Sequence, residues 1–195
     1  MTDVEAERGF LPERRAQALI EALPYIKRFR SAIVVVKLGG NAMIDHALSE
    51  TFAEDIVLLR SVGLKPVVVH GGGPQIGDLL AKLGKESEFV DGLRVTDAET
   101  LDVARMVLVG KVGRAIGGAS NVHGALAVGL SGADGGLITA APRDAALGFV
   151  GAIVAVNPGI VARLLAEAMI PVVSTIGSDG SGQAYNLNAD TAAGA

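Results

Sequence analysis

The sequence has no cysteine, and only 4% of its residues are aromatic. Without cysteine there can be no disulfide, no thiolate nucleophile and no cysteine-bound zinc. No apolar run approaches the roughly 18–20 residues that span a bilayer. The first ten residues are polar and acidic, unlike a signal peptide. Neither sign of charge dominates: 17 basic residues stand against 21 acidic ones, for a net charge of −4. That balance argues against a nucleic-acid partner or an anionic membrane surface, and an anionic ligand would have to be met by local positive groups. Together these absences predict a cytoplasmic protein.

Apolar residues, at 50%, and glycine, with 26 copies, are plentiful in a chain of 195 residues. This is a globular composition, long enough to bury a core. Apolar spacing predicts helices over 12–30, 48–62, 74–83, 97–109 and 158–165, with a weaker, glycine-interrupted one over 112–124. Pro24 should kink or divide the first. Thr96 and Glu99 have capping-box spacing. Short β-branched runs at 32–36, 66–70, 125–130 and 171–175 show no alternation, as in strands buried on both faces. Phe89–Thr96 reads as an extended pair turning at Asp91-Gly92, and 137–140 with 149–156 as a second pair. Strands alternating with helices predict an α/β fold with a mainly parallel sheet. In such sheets ligands sit at the carboxyl ends of the strands. Glycine-rich turns lie at three of those ends: after Lys37, after His70 and after Leu130.

Four motifs carry candidate chemistry. In Lys37-Leu38-Gly39-Gly40-Asn41 a strand delivers a lysine to its end, and two glycines leave backbone N–H groups open to phosphate oxygens. A surface lysine before a turn is the plainer alternative. In His70-Gly71-Gly72-Gly73-Pro74 the glycines open a helix N-terminus, which favours an anion; His70 reads as a hydrogen-bonded strand end. Arg94, in an extended segment, can clamp a carboxylate through two hydrogen bonds or pair with a surface acid. In Tyr185-Asn186-Leu187-Asn188-Ala189-Asp190 the amides and carboxylate can serve a ligand, or Asn188 or Asp190 can simply cap a helix. Two familiar nucleotide loops fail on spacing. Gly71 and Gly73 lack the third glycine of a dinucleotide fingerprint, and neither Gly84-Lys85-Glu86 nor Gly110-Lys111-Val112 completes a Walker A loop.

Taken together, VVKLGGNAM (35–43), PVVVHGGGPQI (66–76), FVDGLRVT (89–96), AVGLSGADG (127–135), GFVG (148–151) and YNLNAD (185–190) resemble the N-acetylglutamate kinase family. The resemblance runs from about residue 12 to the end. It implies a three-layer αβα sandwich with residues 1–30 as a helical extension. Residues 31–195 would form the acetylglutamate-binding domain, with the ATP-binding half largely absent. The implied reaction is ATP-dependent, Mg²⁺-assisted phosphorylation of the side-chain carboxylate of N-acetyl-L-glutamate, in arginine biosynthesis. Lys37 would stabilise the transferring phosphoryl group beside the backbone of Gly39 and Gly40. Gly72, Gly73, Arg94 and Asn186 would hold the substrate, and Asp190 would orient the catalytic lysines. The resemblance further implies a homodimer or hexamer with L-arginine as a possible feedback inhibitor, and the extension resembles the one that links dimers. Three departures stand out: Ala133 where relatives often carry lysine, Gly113 where they often carry asparagine, and a short segment over 143–147. A second catalytic lysine is expected downstream of Ala195. Another amino-acid kinase and a non-catalytic amino-acid sensor are the competing readings.

Overall fold

The computed structural model describes residues 12–43 and 45–195. Four parallel strands form its centre, in the order β1 (Ile33–Leu38), β2 (Lys65–His70), β8 (Ile170–Ser174) and β5 (Ala127–Ser131). One face of the sheet is covered by α2 (His46–Ser61), α3 (Gly73–Lys82), α4 (Ala98–Arg105) and α5 (Gly113–Asn121), which bury Leu38, Ile56, Val68, Leu80, Val107, Ile116 and Val172 in one cluster. Against the other face pack α6 (Gly159–Ala166), α7 (Ala189–Gly194) and a second sheet, with Val67, Val69, Leu137, Leu165, Val173 and Leu187 between them. That sheet has the order β10 (Ala184–Asn186), β9 (Ile176–Ser178), β6 (Ile138–Pro142) and β7 (Gly151–Val156). The arrangement is an α/β fold with a parallel central sheet, as the alternation of elements predicts, and it agrees with the layered sandwich that the family resemblance implies.

Of the four apolar runs, only two are buried on both faces. β8 is buried at every position and β2 from Pro66 to His70. β1 and β5 lie at the sheet's edges; Ile33 and Val35 remain 60% and 48% exposed. All four runs look alike in sequence because strand order, which composition does not encode, decides which are central.

Helix boundaries bring smaller corrections. α1 (Pro12–Phe29) runs through Pro24 undivided. The carbonyl that loses its donor belongs to Ile20, a residue 68% exposed, where water can serve it. The apolar stripe of α1 is itself exposed, at Leu19, Leu23 and Tyr25 as well. The glycines after Val112 do not break the chain's helical course. α4 passes through a π-helical turn, Met106–Val112, directly into α5. The short connection at 143–147 closes as a 3₁₀ turn, Ala145–Leu147, capped by Asp144.

α4 is capped by Asp97, not by Thr96: the Asp97 carboxylate accepts from the Thr100 N–H at 2.8 Å and from Lys85 at 2.6 Å. These contacts, Lys85 first, hold the Asp97 carboxyl at about 2, below its ordinary value. A depressed carboxyl stabilises the fold above the unfolded value and loses that contribution as pH falls towards the folded one. Asp97→Ala is therefore expected to destabilise by about 1 kcal/mol, as for a lost cap. In chemical denaturation at pH 7 and pH 2 the difference from wild type should be present at the first and mostly gone at the second. An equal difference at both would show that Asp97 acts without its charge.

Candidate active site

Strand register sets the carboxyl ends of the central sheet in one row. Leu38 lies opposite His70, His70 opposite Ser174, and Ser174 opposite Ser131. The loops leaving these ends therefore share one edge. Two of the three glycine turns, with the loop between β10 and α7, enclose a cavity of about 230 Å³. Lys37, Gly39, Gly40, Gly72, Gly73, Arg94, Asn186 and Asp190 all line it, so every residue singled out for a site meets there. The third turn does not join them. Ser131–Asp134 borders a separate groove with Asp102 and Arg105. Its first three N–H groups are already used: Ser131 donates to the Asp134 carboxylate at 2.8 Å, Gly132 to the Ser174 carbonyl at 3.0 Å and Ala133 to the Ser131 hydroxyl at 3.2 Å.

Lys37, one residue before the end of β1, reaches Asp190 in the first turn of α7, with Nζ 3.0 Å from Oδ1. The lysine side chain is 34% exposed and the carboxylate 74%, so the pair faces the opening of the site. Capping of α7 falls to Asn188, whose side chain accepts from the Thr191 N–H at 2.9 Å. The capping reading of this motif is thus realised by Asn188, which leaves the Asp190 carboxylate to Lys37.

Arg94 lies in a hairpin of β3 (Phe89–Val90) and β4 (Leu93–Arg94), joined by Asp91 (φ 50°) and Gly92 (φ 77°). Two successive positive φ angles give the turn that matches strand twist. The guanidinium donates to the Gly73 carbonyl at 2.8 Å and to the Ser87 hydroxyl, and lies 4.6 Å from the centre of the Phe89 ring. Burial lowers its pKa from the ordinary value, but a guanidinium stays charged. Asn186 donates from Nδ2 to Thr96 Oγ1 at 3.3 Å, and Thr96 in turn donates to the Arg94 carbonyl at 2.8 Å. Arg94 and Asn186 are therefore linked through the buried Thr96.

The site glycines divide by what surrounds them. A Cβ on Gly40 would lie 2.6 Å from Pro74 Cδ, and one on Gly72 2.8 Å from Leu108 Cδ2. These two allow loops and the π-helical turn to close on one another. A Cβ on Gly73 would meet nothing within 4 Å, and one on Gly39 only Lys37 Nζ, at 3.6 Å. Those two keep the cavity wall bare. His70 is fully buried behind the loop, and burial lowers its pKa, leaving a neutral ring. Its Nδ1–H donates to the Gly71 carbonyl at 2.9 Å, as expected of a strand-end residue.

Several cavity residues escaped the sequence reading. Thr175, just past β8, lines the cavity and donates to the His70 carbonyl at 3.3 Å. The strand-end rule that found Lys37 would also have found it. Phe89, Ile76 and Leu108 supply apolar wall. Ser87, which is not part of the cavity lining but accepts from Arg94, had no signal in the sequence.

Residues 32–195 match the amino acid kinase family. The chain belongs to that family. It is 56% identical over 180 residues to the acetylglutamate kinase of Jannaschia sp. (strain CCS1), covering 92% of this chain and 63% of that protein. It is also 56% identical over 188 residues to that of Saccharopolyspora erythraea, covering 93% and 62%. The chain thus spans less than two thirds of these relatives. Among solved structures, N-acetylglutamate synthase from Neisseria gonorrhoeae, complexed with coenzyme A and N-acetyl-glutamate, superposes with a TM-score of 0.79 at 26% identity, over 91% of this chain and 41% of that one. Carbamate kinase from Giardia lamblia bound to AMP-PNP shares the fold, with a TM-score of 0.60 at 18% identity over 84% of this chain and 65% of that one.

Among the described residues no group of three or more His, Asp or Glu side chains could hold a metal ion. Asp190, the carboxylate on the cavity, is engaged by Lys37. These residues do not form a magnesium cage. Among the described residues no helix is long and apolar enough to cross a membrane.

Proposed function

We propose that the protein carrying this chain transfers the γ-phosphoryl group of ATP to the side-chain carboxylate of N-acetyl-L-glutamate, yielding N-acetyl-L-glutamyl 5-phosphate and ADP in arginine biosynthesis. The observation that carries this reading is the single cavity on which Lys37, Arg94, Asn186 and the open glycines converge. Its volume lies below the range of drug-sized sites and suits a small amino-acid derivative. The kinase relatives and the synthase solved with N-acetyl-glutamate support the choice of acid. Residues 31–195 act as the substrate-binding domain, and ATP with its Mg²⁺ is held mainly elsewhere, the metal by nucleotide phosphates and water.

A carboxylate is already a nucleophile at neutral pH, so the site needs no strong base. It must bring two anions together and stabilise spreading negative charge. Arg94 binds the α-carboxylate and Asn186 the rest of the substrate. Lys37, oriented by Asp190, faces the transferring group, assisted by backbone N–H groups of the glycine loops. A pure amino-acid sensor would have no use for that lysine.

Calorimetry with this chain, after circular dichroism has shown it folded, tests the substrate half. N-acetyl-L-glutamate should bind in preference to L-glutamate and L-aspartate. Arg94→Ala should weaken binding by about 10–100-fold, the loss expected for hydrogen bonds to a charged group. A folded chain that prefers either unacetylated acid would move the assignment to another branch of the family.

The exposed apolar stripe of α1 supports a role for residues 1–30 in joining dimers into a hexamer inhibited by L-arginine. The first eleven residues of that extension lie outside the described residues. Deleting residues 1–28 from the whole protein is expected to abolish both hexamers and arginine inhibition, by light scattering and inhibition assay. Survival of either would remove the extension from that role.

A further inference from the structure

The two glycine loops of the cavity are joined by a side chain that sits behind them. Gln75, in the first turn of α3, is only 8% exposed. Its Nε2 donates to the Gly40 carbonyl at 3.1 Å, bridging 35 residues of sequence. Its Oε1 is buried without a partner. That atom lies 3.4 Å from where a Cβ of Gly40 would stand and 3.7 Å from that of Gly72. Turning the amide over would set Oε1 against the Gly40 carbonyl, acceptor facing acceptor, so the chemistry fixes the nitrogen as the bonded end.

A buried amide with one bare end is a poor way to fill space. Leucine or methionine would occupy it without an unsatisfied acceptor. The bond to Gly40 is what the amide offers that those side chains do not. It matters because the loops belong to separate elements: Gly39-Gly40 leave β1, whereas Gly72-Gly73 open α3. Their N–H groups can act on one phosphoryl group only if the loops keep a fixed relation. Charge stabilisation of that kind depends on donors held in place beforehand.

We propose that Gln75 is a positioning residue that locks the Gly39-Gly40 loop to the opening of α3, so that both loops present one phosphate-binding surface. The proposal rests on the phosphoryl-transfer reading above. Arg94 is held by Gly73 and Ser87, and Asn186 by Thr96, in neither case through Gly40. Substrate affinity should therefore survive the loss of Gln75 while turnover does not.

The test uses the whole protein with Gln75→Met, which keeps the bulk and removes the donor, and with Gln75→Glu. Amide hydrogen exchange over residues 38–43 should quicken about tenfold in Gln75→Met without a comparable change in β2 or β8, the mark of local rather than global opening. For the same variant, kcat should fall about 10–100-fold with the KM for acetylglutamate nearly unchanged, since a misplacement near 1 Å can cost ~10²-fold. Gln75→Glu should recover activity as pH falls, because a protonated carboxyl can again donate to the Gly40 carbonyl, and wild type should show no such rise. If Gln75→Met does not fold, that pH profile decides alone. Unchanged exchange, a loosened loop with wild-type kcat, or kcat and KM shifting together with a lowered melting temperature would each overturn the proposal. If wild type fails to phosphorylate acetylglutamate, the functional reading falls by itself. The exchange measurement then still decides whether Gln75 ties the loops.

Discussion

Replacing Lys37 with alanine in the whole protein is expected to lower kcat by roughly 10²–10³-fold, the ~2.7–4 kcal/mol that a single preorganised donor supplies to a charged transition state. The fold should hardly notice. Lys37 and Asp190 form a partly exposed pair, and such pairs contribute about 0–1 kcal/mol. Acetylglutamate affinity should also persist, because the proposed mechanism sets the lysine on the phosphoryl group and Arg94 on the α-carboxylate. Reduced kcat, intact melting temperature and near-normal acetylglutamate binding form the expected pattern. Asp190→Asn should follow the same pattern more weakly, since the lysine remains but loses the carboxylate 3.0 Å away that orients it. A kcat for Lys37→Ala within about tenfold of wild type would leave no catalytic work for this lysine, since a lost donor should cost at least 10². Loss of substrate binding would instead place its role in the ground state.

The candidate site's lining was legible in the sequence wherever local chemistry and chain order coincide. Lys37 stands at the end of a β-branched run, and Gly71-Gly72-Gly73 stand between such a run and Pro74. A strand that ends in glycines before a helix announces an anion site without any tertiary information. Hidden from the sequence was whatever depends on how strands are ordered. The turn after Leu130 has the same glycine signature, yet it closes on itself and serves another groove. Its Gly132 is needed because a Cβ there would lie 2.6 Å from the Ile176 carbonyl, a packing reason rather than a ligand one. Gly40 and Gly72 likewise combine an expected place on the cavity with a packing role that no spacing rule reveals. Gln75 was unreadable for the same reason: its partner is a carbonyl 35 positions away. The capping box was misplaced by one residue because Thr96 and Asp97 are both good caps. The structure spends the threonine on linking Arg94 to Asn186.

That link leads to the most damaging substitution expected away from the cavity, Gly148→Ala. Gly148 has φ 66° and ψ −126°, a region that side chains rarely enter at a cost of about 1–3 kcal/mol. A Cβ there would also meet the Thr96 carbonyl oxygen at 2.4 Å and its carbon at 3.1 Å, and backbone cannot swing aside as a long side chain can. The bonds beside it hold three segments together. The Thr96 N–H donates to the Leu147 carbonyl at 3.0 Å, the Phe149 N–H to the Thr96 carbonyl at 2.7 Å, and the Asn186 N–H to the Phe149 carbonyl at 2.9 Å. Relieving the clash must therefore displace the backbone that carries Arg94 and Asn186. A destabilisation of about 3 kcal/mol is expected, at the upper end of ordinary point substitutions. In a chain of this size that corresponds to a melting temperature lower by roughly 6–12 °C. Even below the new midpoint, acetylglutamate binding should be weakened, because the two residues proposed to hold the substrate have shifted. Gly180→Ala is the control, since nothing lies within 4 Å of the added methyl. If Gly148→Ala melted within a degree or two of that control, the Thr96–Gly148 contact would not be the strut that holds the substrate side of the site.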